Sequence, residues 1–175
     1  MTMTLGDPAT AFSLPATDGS TVSLDDFADQ EALLVVFSCN HCPYVMAWED
    51  RMNDLAKEFG DTGLGMVAIN SNNAATHPAD SFGKMVERAS DKGFAFPYAH
   101  DESQDVATAY AAERTPEFFL FDTQRILVYH GALDDSQDPD GVSAHYLRDA
   151  IVAVLDGDEP TTEQTPAVGC TIKWK

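Results

Sequence analysis

Two cysteines, separated by two residues in Phe37-Ser38-Cys39-Asn40-His41-Cys42-Pro43-Tyr44, stand where the periodicity of the chain changes. Ahead of them runs a continuous apolar segment, Ala32-Leu33-Leu34-Val35-Val36-Phe37, the pattern of a strand buried on both faces. Behind them Val45, Met46, Trp48, Met52, Leu55, Ala56 and Phe59 recur at helical spacing. The pair therefore belongs at a junction where a buried strand turns into a helix. Free backbone N–H groups at a helix N-terminus stabilise an anion, and a thiolate is an anion. His41 adds a potential positive neighbour between the two sulfurs. The competing reading of His41 is a solvated loop residue.

At 175 residues and 44% hydrophobic content the chain fits one domain with its own core. No apolar run is long enough to cross a bilayer. The stretch Met1-Thr2-Met3-Thr4-Leu5-Gly6-Asp7-Pro8 lacks the basic and apolar regions of a secretory signal. Read as a native start, it predicts a cytoplasmic protein whose thiols are kept reduced, so a spaced pair points to catalysis or metal binding rather than a structural bridge. Asp and Glu number 29 against 10 Lys and Arg, a formal net charge of −19. That balance argues against binding nucleic acid or an anionic membrane through a basic patch. The acid is scattered, which resembles the surface of proteins from extreme halophiles. Such a surface repels itself until salt screens it, so the expected signature is a melting temperature that rises from low to molar salt; a flat response would refute it.

Taken in order, residues 5–24 read as an N-terminal hairpin around Asp18-Gly19, and Asp25-Asp26-Phe27 as a brief turn or helix. A strand over 32–38 leads into a helix that ends at Gly60 and Gly63. Residues 65–69 form a second buried strand, followed by the polar loop Asn70-Ser71-Asn72-Asn73. Asp80 or Ser81 caps a helix stopped at Gly93, residues 94–98 are short and extended, and Ser103 caps a helix through Tyr110. Residues 117–122 and 126–130 read as a hairpin, and 146–154 as a last helix. Residues 1–155 are expected to form the domain and 156–175 a tail packed on it, through Ile172 and Trp174. Strand–helix–strand, helix, hairpin and final helix predict an α/β protein of three layers, α/β/α, with a mixed central sheet: a thioredoxin fold with an N-terminal hairpin extension.

The chemistry of a spaced dithiol is nucleophile and resolver. On this reading the more exposed Cys39 attacks a substrate disulfide as thiolate and Cys42 displaces the product through a mixed disulfide. Cys39→Ser is then expected to abolish exchange and Cys42→Ser to trap mixed disulfides. The second element is Thr115-Pro116, ahead of the strand that starts at Glu117. A proline there removes a backbone donor, and a cis bond would turn the chain tightly beside the cysteines. Glu31, at the edge of the first buried strand, is the candidate acid for proton transfer.

These motifs resemble the redoxin branch of the thioredoxin superfamily, which includes the AhpC/TSA peroxiredoxins. Within it they are most similar to the peroxiredoxin-like group marked by Cys-Asn-His-Cys-Pro-Tyr. The likeness also covers Phe12-Ser13-Leu14, Asp18-Gly19, Val67-Ala68-Ile69-Asn70-Ser71-Asn72, Thr115-Pro116-Glu117-Phe118-Phe119-Leu120-Phe121-Asp122, Asp134-Asp135-Ser136 and Gly169-Cys170-Thr171-Ile172-Lys173-Trp174. The resemblance implies catalytic roles for Cys39, Cys42, His41 and Pro116, substrate contacts at Thr115, Asn40 and Pro43, and accessory roles for Arg114 and Cys170. It implies no organic cofactor and no metal. The partners it implies are protein disulfides or peroxide, with a thioredoxin or its reductase as electron donor. Peroxiredoxins carry a threonine three residues before the peroxidatic cysteine and an arginine on the later loop. Laying Cys42-Pro43 on that motif puts Cys39 where the threonine belongs and Pro116 where the arginine belongs, with Arg114 two positions away. The expected activity is therefore thiol–disulfide exchange, with thiol peroxidase as the alternative.

Two further readings come from other classes. Cys39, His41 and Cys42, with Cys170 or His130, could supply soft ligands for copper or zinc. The fold could also serve only to bind protein, which leaves the paired cysteines without a use. Cys170 itself reads as a resolving thiol, an intermolecular bridge or an inert tail residue.

Overall fold

In the computed structural model, which describes residues 2–175, the hairpin is β1 (Ser13–Pro15) paired antiparallel with β2 (Thr21–Ser23). A 3₁₀ turn, Leu24–Phe27, leads to β3 (Ala32–Phe37), in which every residue is buried. Helix α1 (Pro43–Phe59) follows directly after the cysteine loop, then β4 (Leu64–Asn70). Ser81, not Asp80, caps helix α2 (Phe82–Lys92), its Oγ accepting the Lys84 N–H at 3.4 Å, and Gly93 ends the helix at φ 58°. Strand β5 is Tyr98–His100, later than the extended segment expected over 94–98. The rings of Phe94 and Phe96 stack 4.7 Å apart and pack on the core instead of continuing the sheet.

The expected Ser103 cap of the next helix is also corrected. Helix α3 (Asp105–Ala109) has Gln104 at its N-cap, and the Asp101 carboxylate accepts the N–H groups of Val106 and Ala107 at 3.4 and 2.9 Å. An ionised acceptor holds those donors more strongly than a serine hydroxyl. Two residues, β6 (Arg114–Thr115), precede β7 (Glu117–Phe121), which turns into β8 (Leu127–Gly131). Helix α4 (Tyr146–Leu155) and a docked tail carrying β9 (Cys170–Thr171) complete the chain.

The central sheet has the order β5-β4-β3-β7-β8, with β3, β4 and β5 parallel and β7 and β8 antiparallel. It is the mixed sheet the sequence predicts. Alternation along the strands divides the core in two. Leu34 and Val36 face α1, α2 and α4 through Trp48, Met52, Met85, Leu147 and Ile151. Leu33, Val35 and Phe37 face the N-terminal hairpin and α3 through Phe12, Leu14, Val22, Ala107 and Tyr110. Met46 stands outside this packing, as an exposed residue of α1, and Trp174 is exposed while Ile172 is buried. The tail is therefore anchored at Ile172 alone of the two expected residues. Among the described residues no helix is long and apolar enough to cross a membrane.

Because β3 and β4 run parallel and β7 antiparallel, one edge of the sheet gathers the end of β3, the end of β4 and the start of β7. The cysteine loop, the Asn70–Asn73 loop and Thr115-Pro116 all meet there.

Candidate active site

Cys39 and Cys42 are both buried, 4% and 5% exposed, so Cys39 is not the more exposed residue of the pair. Proline at the first position of α1 places the N-cap at Cys42. The orphan Val45 N–H of the first helical turn points at the Cys42 sulfur. The helix therefore offers its N-terminal N–H groups to an anion at Cys42 rather than at Cys39. The Cys42 pKa is lowered to about 4. The main cause is the Cys39 S–H, which donates to it; burial opposes, and the Cys170 S–H, the Val45 N–H and the Cys170 N–H add to the lowering. Cys39 moves the other way, raised first by keeping its proton in that bond, then by burial and by the nearby Asp80 charge. Cys170 is pushed up to about 11, by burial and by the Cys42 sulfur. These shifts place the proton of the pair on Cys39 and give Cys42 the lower pKa.

Thr115 touches both sulfurs of the pair. Its Oγ1 lies 3.5 Å from Cys39 Sγ, and its carbonyl lies 3.5 Å from Cys42 Sγ. The carbonyl contact suits a protonated Cys42, whereas the Cys39 and Cys170 thiols and the Val45 N–H favour its thiolate. The Thr115-Pro116 bond is cis. The loop before it is fixed by Glu117, a buried carboxylate whose Oε2 accepts the N–H groups of Glu113 and Arg114 at 2.7 and 2.8 Å and whose Oε1 is 2.7 Å from His130 Nε2. His130 is committed to that pair and does not join the cysteines. Among the described residues no three His, Cys, Asp or Glu side chains are arranged to hold a metal ion.

The site contains a residue that sequence reasoning treated only as a helix cap. Asp80 is fully buried. Its Oδ1 accepts the Asn40 N–H at 2.8 Å and the Asn70 side-chain amide at 3.1 Å, and its Oδ2 accepts the Asn72 amide at 3.0 Å. Asn40 in turn accepts the Tyr98 hydroxyl at 2.8 Å and donates to the Ala79 carbonyl at 2.8 Å. Asp80 so ties the cysteine loop to the end of β4. A signal was present: three asparagine donors in and around a buried strand end need an acceptor with more lone pairs than they can give each other. Glu31 does not take the part expected of it. It is exposed and sits at the opposite end of β3, about 20 Å of strand away.

His41 is half exposed, with Nδ1 3.6 Å from Asp80 Oδ2, so its ring faces the carboxylate. Pro43 and His41 line a small cleft of about 110 Å3 with Cys39, Cys42, Asp80, Thr115, Cys170 and Lys173. Asn40 lies beneath it as a buried residue. Arg114 is exposed and donates to the Gly169 carbonyl at 3.2 Å, outside the residues that line the cleft.

Alkylation of the reduced protein by iodoacetamide should be flat across neutral pH and fall only as pH drops towards about 4, because the thiolate exists above that point. In Cys39→Ala the largest lowering cause is gone, and the midpoint should move up towards the ordinary thiol range near about 8.5. An unchanged midpoint in that variant would contradict the shared proton.

A family model described as Redoxin matches residues 4–145. The crystal structure of a hypothetical protein from Sinorhizobium meliloti 1021 is 42% identical and superposes with a TM-score of 0.94, covering 99% of this chain and 96% of that one. An uncharacterized conserved protein from Geobacillus kaustophilus is 40% identical, with a TM-score of 0.93 over 98% of this chain and 93% of that one. The structure of Peroxidoxin BcpB from Mycobacterium tuberculosis, 22% identical at TM-score 0.68 over 89% and 97% of the two chains, shares the fold. A curated Mycobacterium tuberculosis (strain H37Rv) protein named "Putative peroxiredoxin Rv2521" is 28% identical over 63% of this chain. The match spans 65% of that relative's length. Thiol oxidoreductase chemistry fits these likenesses in general. On the match over residues 4–145, the chain belongs to the Redoxin family.

Proposed function

We propose that the protein is a thiol–disulfide oxidoreductase working through the Cys39–Cys42 dithiol, with Cys42 as its thiolate. The observation that carries this reading is the placement of two buried sulfurs at the start of α1, each 3.5 Å from Thr115. The Cys42 thiolate attacks one sulfur of a substrate disulfide, forming a mixed disulfide and releasing the other sulfur as a thiolate, which takes a proton. Cys39 then loses its proton and attacks Cys42 Sγ. The Cys39–Cys42 bond forms, the mixed disulfide breaks, and the substrate leaves as a second thiol. The substrate is reduced by two electrons and the protein is oxidised by two. Thr115, beside both sulfurs, positions them, and its loop with Pro116 offers backbone to an extended substrate. Asn40 holds the cysteine loop, while Pro43 and His41 border the approach. A thioredoxin or its reductase would return the electrons, in a reducing compartment such as the cytoplasm.

The low Cys42 pKa at a helix N-cap supports peroxidase chemistry as a second reading. The thiolate would attack peroxide to give a sulfenic acid and hydroxide, and Cys39 would condense with it, losing water. No arginine lines the cleft to bind peroxide, and the Thr115 hydroxyl sits at Cys39. Exchange is therefore the first reading. Its test is to react the reduced protein with a small protein disulfide such as insulin, quench in acid and map the products. A Cys39–Cys42 disulfide formed in step with substrate thiols supports the proposal; substrate reduction that leaves Cys42 in no intramolecular disulfide overturns it.

A further inference from the structure

The third cysteine is built into the same site. β9 pairs antiparallel with β6, and Cys170 lies directly opposite Thr115, the residue that touches both sulfurs of the dithiol. Cys170 packs against Cys39, Cys42 and Val45 and lines their cleft. The placement is enforced on both sides of Cys170. Gly169 lies so close to the Thr115 carbonyl that a Cβ there would come within 2.2 Å of its oxygen. Downstream, the Ile172 N–H donates to the Glu113 carbonyl at 3.0 Å, and the Lys173 N–H donates to Asn72 Oδ1 at 2.9 Å. Ile172 is buried in the core that contains Phe37. An extended strand hydrogen-bonded beside a dithiol, with its own cysteine at the sulfurs, is how a peptide substrate would present itself.

We propose that Cys170 is the third redox thiol of this site and takes over the disulfide from Cys39. This rests on the dithiol reading above. In the oxidised protein the Cys170 thiol loses its proton and its sulfur attacks Cys42 Sγ. The Cys42–Cys170 bond forms, the Cys39–Cys42 bond breaks, and the electron pair leaves on Cys39, which takes up the proton. The step is an isomerisation with no net oxidation, so it needs no further reagent. It is exchange at a central sulfur that has one thiol on its own loop and another on β9. Its consequence is a second oxidised form, in which the tail is bonded over the cleft and Cys39 is free beside the Thr115 hydroxyl.

Trypsin separates the outcomes. The first cleavage site is Arg51, so Cys39 and Cys42 share peptide 1–51, while Cys170 falls in peptide 149–173. The full-length reduced protein is oxidised with one equivalent of diamide, quenched in acid, blocked with N-ethylmaleimide and mapped by mass spectrometry. The inference predicts a 1–51/149–173 cross-link through Cys42 beside the internal Cys39–Cys42 bond. In Gly169→Val, which forces β9 off the Thr115 carbonyl, the cross-link should fall about tenfold. An internal Cys39–Cys42 bond with no cross-link in the wild-type protein overturns the inference and leaves the dithiol reading standing. Loss of both linkages overturns both. A cross-link undiminished in Gly169→Val overturns the part assigned to β9.

Discussion

Cys42→Ser should lower the rate of disulfide exchange by about three orders of magnitude, because a serine hydroxyl does not ionise at neutral pH and forms no disulfide. The fold should survive the change, since the buried sulfur is replaced by a hydroxyl that can donate to the Thr115 carbonyl 3.5 Å from it. Cys39→Ser should behave differently. Cys42 can still attack, but its resolving partner on the same loop is gone, so mixed disulfides accumulate with substrate. Cys170 can clear some of them from β9, so the trap should be complete only in Cys39→Ser/Cys170→Ser. Mass spectrometry of acid-quenched reactions reads all three variants. Mixed disulfides that form on Cys39 in Cys42→Ser, at the wild-type rate, would return the thiolate to Cys39 and refute the assignment drawn from the helix N-cap.

Asp80→Ala should lower the free energy of unfolding by about 3–5 kcal/mol, the scale expected when a buried charged acceptor is removed and its donors are left unpaired. Three donors lose their partner at once: the Asn40 N–H and the amides of Asn70 and Asn72. No polar atom of alanine replaces the carboxylate. Because Asn40 is one of the donors, the loss also loosens the cysteine loop, and the Asp80 charge no longer holds the Cys39 pKa up. Urea unfolding measures the first effect as a lower midpoint at unchanged slope. A change below about 1 kcal/mol would mean that the donors find other partners and that Asp80 is not the tie between the loop and β4.

The parts of this fold legible in the sequence are those with local signals. β3 is an unbroken apolar run, α1 has a helical period with glycines at its end, and β7 and β8 flank a short turn. β6 and β9 carry no such signal. Each has two residues, and they are strands only because the tail docks against the Thr115 loop. The aromatic run at Phe94 and Phe96 looks like a strand because it is apolar, yet it packs rather than pairs. At the site, the dithiol and Thr115-Pro116 are plain in the sequence, and which cysteine caps the helix is less so. Pro43 held the needed information, since proline at the first helical position fixes Cys42 as the N-cap. Asp80 was hidden for another reason. Its partners are Asn40 in the cysteine loop, Asn70 at the end of β4 and Asn72 just beyond it, and only the parallel pairing of β3 with β4 brings them together.

The central claim is that this dithiol exchanges with disulfides. The most direct measurement is the rate at which the fully reduced protein loses thiols to a protein disulfide, beside its rate with hydrogen peroxide, both in high salt. Fast loss to the disulfide and sluggish loss to peroxide are expected. Fast loss to peroxide with slow exchange would contradict the claim, and would make Cys42 a peroxidatic cysteine.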